Sequence, residues 1–316
     1  MRKILNKIFN FAAYYSGINY ICGFFLNDKI FVLNYHSVVD TKDNQLGWMY
    51  PNLTIDIGVF EKQMKYLNAR GHTFIKISDL PDVIENNYIK PTIVYFDDGF
   101  KDNLTSVLPI LKKYNIPANI FITTEIADKI NFLWTLKYRF FLQGSGYNRT
   151  QIEGEVSRLK NLPQGDREKK LSNIYAKNNF YFNETDFDIF LNWDDIFLLS
   201  KNNIEIGSHG VSHLNLTELS SELLCKEIIN SKKILEQKLN QNIVSFSYPY
   251  GKWNDDVNHQ LKNYDYKFAV SVGEGLNDRN IIGKELVILK NISIKPHYNI
   301  IDFKVQLYAR NLIKRQ

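Results

Sequence analysis

The chain of 316 residues is 44% hydrophobic and 23% charged, a globular composition long enough for one large α/β domain or two ordinary ones. Its net charge of +5 is modest and no dense Lys/Arg run precedes Lys314-Arg315, so the sequence carries no nucleic-acid footprint, only a mild bias toward anionic surfaces. The two cysteines, Cys22 and Cys225, match no metal or redox spacing, which excludes a disulfide framework and leaves buried structural thiols as the default reading.

At the N-terminus, residues 8–26 carry no charge and follow a basic Met1-Arg-Lys start. Asn10, Ser16, Gly17 and Asn19, with three tyrosines, dilute the segment too far for a secretory signal or a comfortable spanning helix. Residues 1–28 are therefore expected to form an amphipathic helix that packs on the core or lies in a membrane interface, with a membrane anchor as the alternative. Without a signal, a cytoplasmic location with peripheral membrane contact is the expectation. Residues 29–35 (KIFVLNY) read as a strand that stops at His36, followed by a polar loop to Tyr50. Val59, Met64 and Leu67 space a helix that ends at Gly71. Residues 72–77 read as a strand, and Ser78 as the cap of a helix to about Asn87.

Residues 92–96 (TIVYF) are a buried strand bounded by Pro91 and Gly99, ending in Asp97 and Asp98. Strand side chains alternate, so a break at Gly99 is needed to turn both acids toward one cleft. An Asp-Asp-Gly surface turn is the competing reading. A helix over 104–114 and a strand over 118–123 continue a β-α-β-α rhythm that implies parallel strands with crossover helices. From about 126 to 200 that rhythm lapses into an Asn-, Lys- and Phe-rich helical insertion broken at Gly144-Ser-Gly146, a lid or one wall of a cleft. It then resumes with a strand over 203–207 that runs into His209 and His213. A long helix over 218–239 follows, with Thr217 as its cap, and then a strand over 243–248 ending in Pro249-Tyr-Gly251. Strands over 267–272 and 286–294 and a helix over 300–313 close the chain.

His209 and His213 are four apart, so a helical turn would put them on one face to bind one ion. Two imidazoles and one carboxylate leave open positions for water and substrate, the arrangement of a catalytic metal site. Tyr95-Phe-Asp-Asp-Gly99, Ser208-His-x-x-x-His213 and Ser247-Tyr-Pro-Tyr-Gly251 resemble, in order and in strand context, the first three motifs of polysaccharide deacetylases, the NodB-type carbohydrate esterases. Leu33-Asn-Tyr-His36 and residues 109–118 support the resemblance, which covers about 30–294 less the insertion.

The resemblance implies a distorted (β/α)7-8 TIM-like barrel over 29–316, carrying the insertion at 126–200. It implies removal of N-acetyl groups from amino sugars of a polysaccharide or glycan precursor. Asp97 would be the general base, and Asp98, His209 and His213 would hold one divalent metal. That metal is usually zinc, though cobalt, nickel or iron would suit the same ligands. The backbone N–H of Tyr250 would face the oxyanion, and Pro249 would fix the strand exit beside the substrate. Independently of the resemblance, His36 at the end of the first strand is either a residue of the same cleft or a hydrogen-bonded structural histidine. Ser247 stands where many members carry an arginine that steadies the base. Lys290 sits where another arginine is common, and His297 fits poorly as the late general acid, which leaves the protonating group unassigned. Deformylation of an amino sugar and a non-catalytic glycan-binding homologue are the alternatives. A glycosidase pair would not need the histidines. His72 and His259 read as ordinary.

Overall fold

A computed structural model describes residues 23–41 and 52–313. Of the expected N-terminal helical segment (1–28), residues 1–22 with Cys22 lie outside the described residues, as do Lys314-Arg315; residues 23–24 are helical and 25–28 form a turn. Among the described residues no helix is long and apolar enough to cross a membrane. The first strand, β1 (Phe31–Tyr35), is followed by β2 (Ser37–Val39), which pairs in parallel with β3 (Thr54–Asp56). The stretch expected as a plain polar loop thus carries a small sheet of its own. Helix α1 (Ile57–Ala69) is capped by Asp56, whose carboxylate accepts from the N–H groups of Gly58 and Val59.

The next strand, β4, is only Thr73–Phe74. The helix expected from Ser78 is instead a 3₁₀ turn (Ile77–Asp79) and a single helical turn (Asp82–Glu85), with Pro81 between them. Then come β5 (Pro91–Phe96), helix α2 (Leu108–Tyr114) after a π turn, and β6 (Ala118–Ile122). Helices α3 (Trp134–Gly144), α4 (Arg149–Lys160) and α5 (Gln164–Lys177) form the expected helical segment, and α6 (Trp193–Ser200) leads into β7 (Ile204–Ser208). Helix α7 (Ser221–Leu239) begins later than expected and is capped by Ser220; Thr217 sits in a separate 3₁₀ turn. The remainder is β8 (Ser245–Ser247), α8 (Asp255–Asn263), β9 (Phe268–Glu274), β10 (Val287–Ser293) and α9 (Ile300–Leu307), the closing helix breaking after Leu307.

Strands β1, β10, β9, β8, β7, β6 and β5 pair in that order, all in parallel, and β5 returns to β1, so seven strands close a (β/α)-type barrel with β4 as an appendage on β5. Alternation along the strands splits the core in two. Leu33, Val94, Phe96, Ile120, Ile206 and Phe246 face the surrounding helices. Val32, Ile93, Tyr95, Phe121, Val270 and Leu289 fill the lumen. Gly207 makes room there, because a Cβ at that position would lie 2.4 Å from the Phe121 ring. At the N-terminal end of the strands the lumen is stoppered by a polar layer. Glu205 accepts from Ser78 N–H (3.0 Å) and Ser245 Oγ (3.1 Å), and Asn119 Oδ1 accepts from Ile77 N–H (3.2 Å). The same alternation leaves Asn34, Asp97, His209 and Ser247 at the C-terminal mouth, where parallel barrels hold their chemistry.

His72 is structural, as expected. Buried between Thr92 Oγ1 (2.6 Å) and Tyr308 Oη (2.8 Å), it ties the C-terminal segment to the barrel, and burial pushes its pKa down to about 3. Cys225 is half-buried rather than buried, with Sγ 2.9 Å from Tyr264 Oη. His259 is exposed on α8.

Candidate active site

Strand β5 carries Asp97 to the mouth, and Asp97 N–H still bonds Tyr35 O at 3.1 Å. The break that brings Asp98 to the same side starts one residue earlier than expected. Asp98 has φ +70° and Gly99 φ +69°, two successive left-handed residues that undo the strand alternation. Aspartate tolerates this region better than most side chains. At Gly99 a Cβ would also approach Ile122 Cδ1 to 2.9 Å, so glycine is required twice over.

His209 and His213 meet through a loop, not the helical turn that their spacing suggested. Gly210 (φ +81°) and His213 (φ +57°) fold the chain back on itself. Glu227 of α7 anchors that loop by accepting from Val211 N–H (2.9 Å) and Ser212 N–H (3.0 Å). His209 Nδ1 lies 2.7 Å from Ser247 O. A carbonyl can only accept, so Nδ1 is the protonated nitrogen and Nε2 presents its lone pair to the cavity.

The ligand atoms of Asp98, His209 and His213 all lie within 4.8 Å of one another, with Asp98 Oδ1 3.5 Å and 3.2 Å from the two Nε2 atoms. Donor atoms around a tetrahedral ion at ~2.0–2.1 Å are themselves roughly 3.4 Å apart, so the set fits a divalent metal. Asp98 Oδ1 is buried without a well-formed hydrogen bond, which suits an oxygen reserved for an ion. Burial would raise the Asp98 carboxyl, but the two imidazoles outweigh it and hold the group well below the usual range. Burial lowers His209, and the charges of Asp97 and Asp98 more than reverse that.

Asp97 stays outside this cluster. Its Oδ2 accepts from Asn34 Nδ2 at 2.9 Å, while Oδ1 is buried with no partner. Asn34, from β1, therefore steadies the acid at the place where an arginine was missing from the third motif. Ser247 at that position instead orients His209 through its carbonyl. Asn34→Ala should lower turnover about tenfold or more, the worth of one hydrogen bond to a charged group, while metal content stays at the wild-type level. Parallel acetate-release and metal assays check this, and an unchanged rate would remove Asn34 from the mechanism.

His36 lines the same cavity and is half-buried, its pKa lowered chiefly by burial. Asn103 Nδ2 donates to His36 O (2.9 Å), and Asp102 holds the next two residues by accepting from Ser37 Oγ (2.8 Å) and Val38 N–H (2.8 Å). Burial pushes Asp102 up to about 7 from its ordinary 3.8 despite those bonds. The folded state thus holds this proton more tightly than the unfolded state, so stability should fall as pH rises between those two values. Asp102→Asn removes the titration and keeps the neutral hydrogen-bonding pattern. Between pH 4 and pH 8 wild type should therefore lose roughly 2–4 kcal/mol relative to the variant, read from urea unfolding at each pH. Parallel pH profiles for the two proteins would refute it.

Tyr250 sits at φ +60° after the buried Pro249; its ring packs on His213 (4.8 Å between centroids) and its hydroxyl accepts from Trp134 Nε1 at 3.1 Å. Burial pushes that phenol up to about 12. Pro249 itself does not line the cavity and acts on it only through the chain direction. Lys290 and His297 are exposed and outside the cavity. The cavity has a volume of about 140 Å3, and Leu133, Trp134, Thr135 and Lys160 of the helical segment form one wall. Those four residues carried no recognisable motif.

The polysaccharide deacetylase family model matches residues 86–269, which include all three strand-end motifs. The chain is 22% identical over 272 residues to the putative polysaccharide deacetylase YxkH of Bacillus subtilis, covering 85% of this chain and 72% of that protein. It is 26% identical over 253 residues to a poly-beta-1,6-N-acetyl-D-glucosamine N-deacetylase of Staphylococcus aureus, covering 77% and 71%. Its fold is similar to that of the Streptococcus pyogenes deacetylase PplD, with a TM-score of 0.62 at 20% identity over 88% of this chain and 97% of that one. Barrel closure, the acid pair at the mouth and the match across all three motifs agree: the chain is a member of the polysaccharide deacetylase family.

Proposed function

We propose that the protein is a metal-dependent hydrolase that removes N-acetyl groups from N-acetylglucosamine units of a polysaccharide. One observation carries this reading: Asp97 presents an unpartnered carboxylate oxygen in the same cavity as the Asp98–His209–His213 cluster. A divalent ion held by that cluster supplies Lewis acidity toward water and an acetamide carbonyl. Asp97, held by Asn34, removes a proton from the attacking water. The N–H of Tyr250, at the turn that Pro249 sets, stabilises the oxyanion in this reading. The proton that Asp97 takes from water is the one the departing amine needs, and His36, which lines the same cavity, relays it there, leaving a free amino sugar and acetate. The likeness to a poly-N-acetylglucosamine deacetylase supports the choice of sugar. Zinc is the favoured ion, since two imidazoles and a carboxylate suit it well.

The test is acetate release from β-1,6- and β-1,4-linked N-acetylglucosamine oligomers by zinc-loaded protein, before and after chelation. Release that stops with chelator and returns with zinc supports the reading. A zinc-loaded protein that releases no acetate from either series overturns it.

A further inference from the structure

A second cavity, of about 170 Å3, lies behind one wall of the first, and Leu133, Trp134, His213 and Tyr250 border both. Its far side is formed by α5, which brings in Arg167 and Leu171. Arg167 is only 7% exposed, and its guanidinium lies 4.9 Å over the Trp134 ring. The hydrogen bonding of this group is poor: Nη1 reaches Leu162 O at 3.5 Å and Nε is buried without a partner. No carboxylate pairs with it among the described residues. Glu168 also borders the cavity but is exposed and makes no ion pair with Arg167. In the first cavity, which Trp134 also lines, Lys160 is exposed and has no ion-pair or hydrogen-bond partner among the described residues.

A buried guanidinium without a counter-ion is costly, and a hydroxyl satisfies its N–H groups while leaving the charge uncompensated. Its planar fork matches a carboxylate or phosphate. We propose that this second cavity is a subsite for an anionic group on the substrate, a carboxylate or phosphate near the N-acetylated sugar, bound by Arg167 and attracted by Lys160. The helical segment between β6 and β7 would then be the part of the fold that selects an acidic amino-sugar substrate over a neutral one. The inference deepens the deacetylase reading and rests on it for the position of the reacting sugar.

The experiment measures the Kd and the kcat/KM for acetate release of zinc-loaded full-length protein with three probes. These are neutral chitotetraose, a tetrasaccharide alternating N-acetylglucosamine with glucuronate, and uridine-diphosphate N-acetylglucosamine. At least one charged probe should bind tenfold or more tightly than chitotetraose. Preference for the uronate places the anion in a polymer, and preference for the sugar diphosphate places it in a precursor. Arg167→Gln should bring the charged-to-neutral Kd ratio close to one, and Arg167→Lys should retain part of the preference. Should Arg167→Gln fail to fold, the Lys variant and the wild-type preference decide the matter. Equal binding of all three probes, or a ratio unmoved by Arg167→Gln, overturns the subsite. Acetate release from none of the probes would sink the deacetylase reading, while the binding ratios would still judge the anion subsite.

Discussion

Asparagine at position 97 should cut acetate release by roughly 10²–10⁴-fold, the usual worth of a positioned general base, and leave metal content near one ion per chain. The substitution is nearly isosteric. Its amide oxygen can still accept from Asn34, at the position where Asp97 Oδ2 now does so at 2.9 Å. What it loses is a basic oxygen at the buried, unpartnered Oδ1 position. Asp98, His209 and His213 are untouched, so the two properties should separate. Metal analysis beside a coupled acetate assay reads both. An Asp97→Asn protein that keeps more than a tenth of wild-type turnover would exclude Asp97 as the base, and one that loses its metal would make Asp97 a ligand.

His209→Ala should lose metal and turnover together. His209 is 3% exposed and offers one of three clustered ligand atoms. Even the partners that only orient such ligands are worth about 10–100-fold in metal affinity, so removal of the ligand itself should weaken zinc binding by at least that much. The change also leaves Ser247 O without its 2.7 Å donor. A stability loss of about 1–3 kcal/mol, visible in thermal unfolding of the metal-free protein, should accompany it. Equilibrium dialysis against zinc separates the effects. Stoichiometric zinc in a folded His209→Ala protein would require a different donor set.

The strand-end residues were readable because each motif is local. An apolar run followed by acids, by His-x-x-x-His or by Pro-Tyr-Gly states where a strand stops and what its end carries. The groups that complete the site are not local to those motifs. Asn34 meets Asp97 across 63 residues, Asp102 meets Ser37 across 65, and Trp134 meets Tyr250 across 116. Only closure of the barrel and docking of the helical segment create these pairs, and an asparagine on a first strand or a tryptophan in a helix announces neither. Asn34 had one accessible signal: Leu33-Asn-Tyr-His36 belongs to the stretch that resembles the family. The histidine pair shows a second limit. Its spacing correctly joined the two side chains, yet helical geometry was the wrong reason. Two left-handed residues and the buried Glu227 do the work that a helical turn was expected to do.

The filled lumen has a consequence for traffic. Tyr95, Phe121 and Leu289 pack its middle, and the Glu205–Asn119 layer closes its foot, so nothing reaches the reacting centre from below. Water, sugar chain and acetate must all come and go on the C-terminal side of the barrel. In the proposed deacetylation the acetyl group would lie deepest, beside the Asp98–His209–His213 cluster, with the sugar ring nearer the mouth. Departure would then be sequential, the amino sugar first and acetate behind it. A polymer that slides along by one unit would free the exit and present its next acetamide in the same movement.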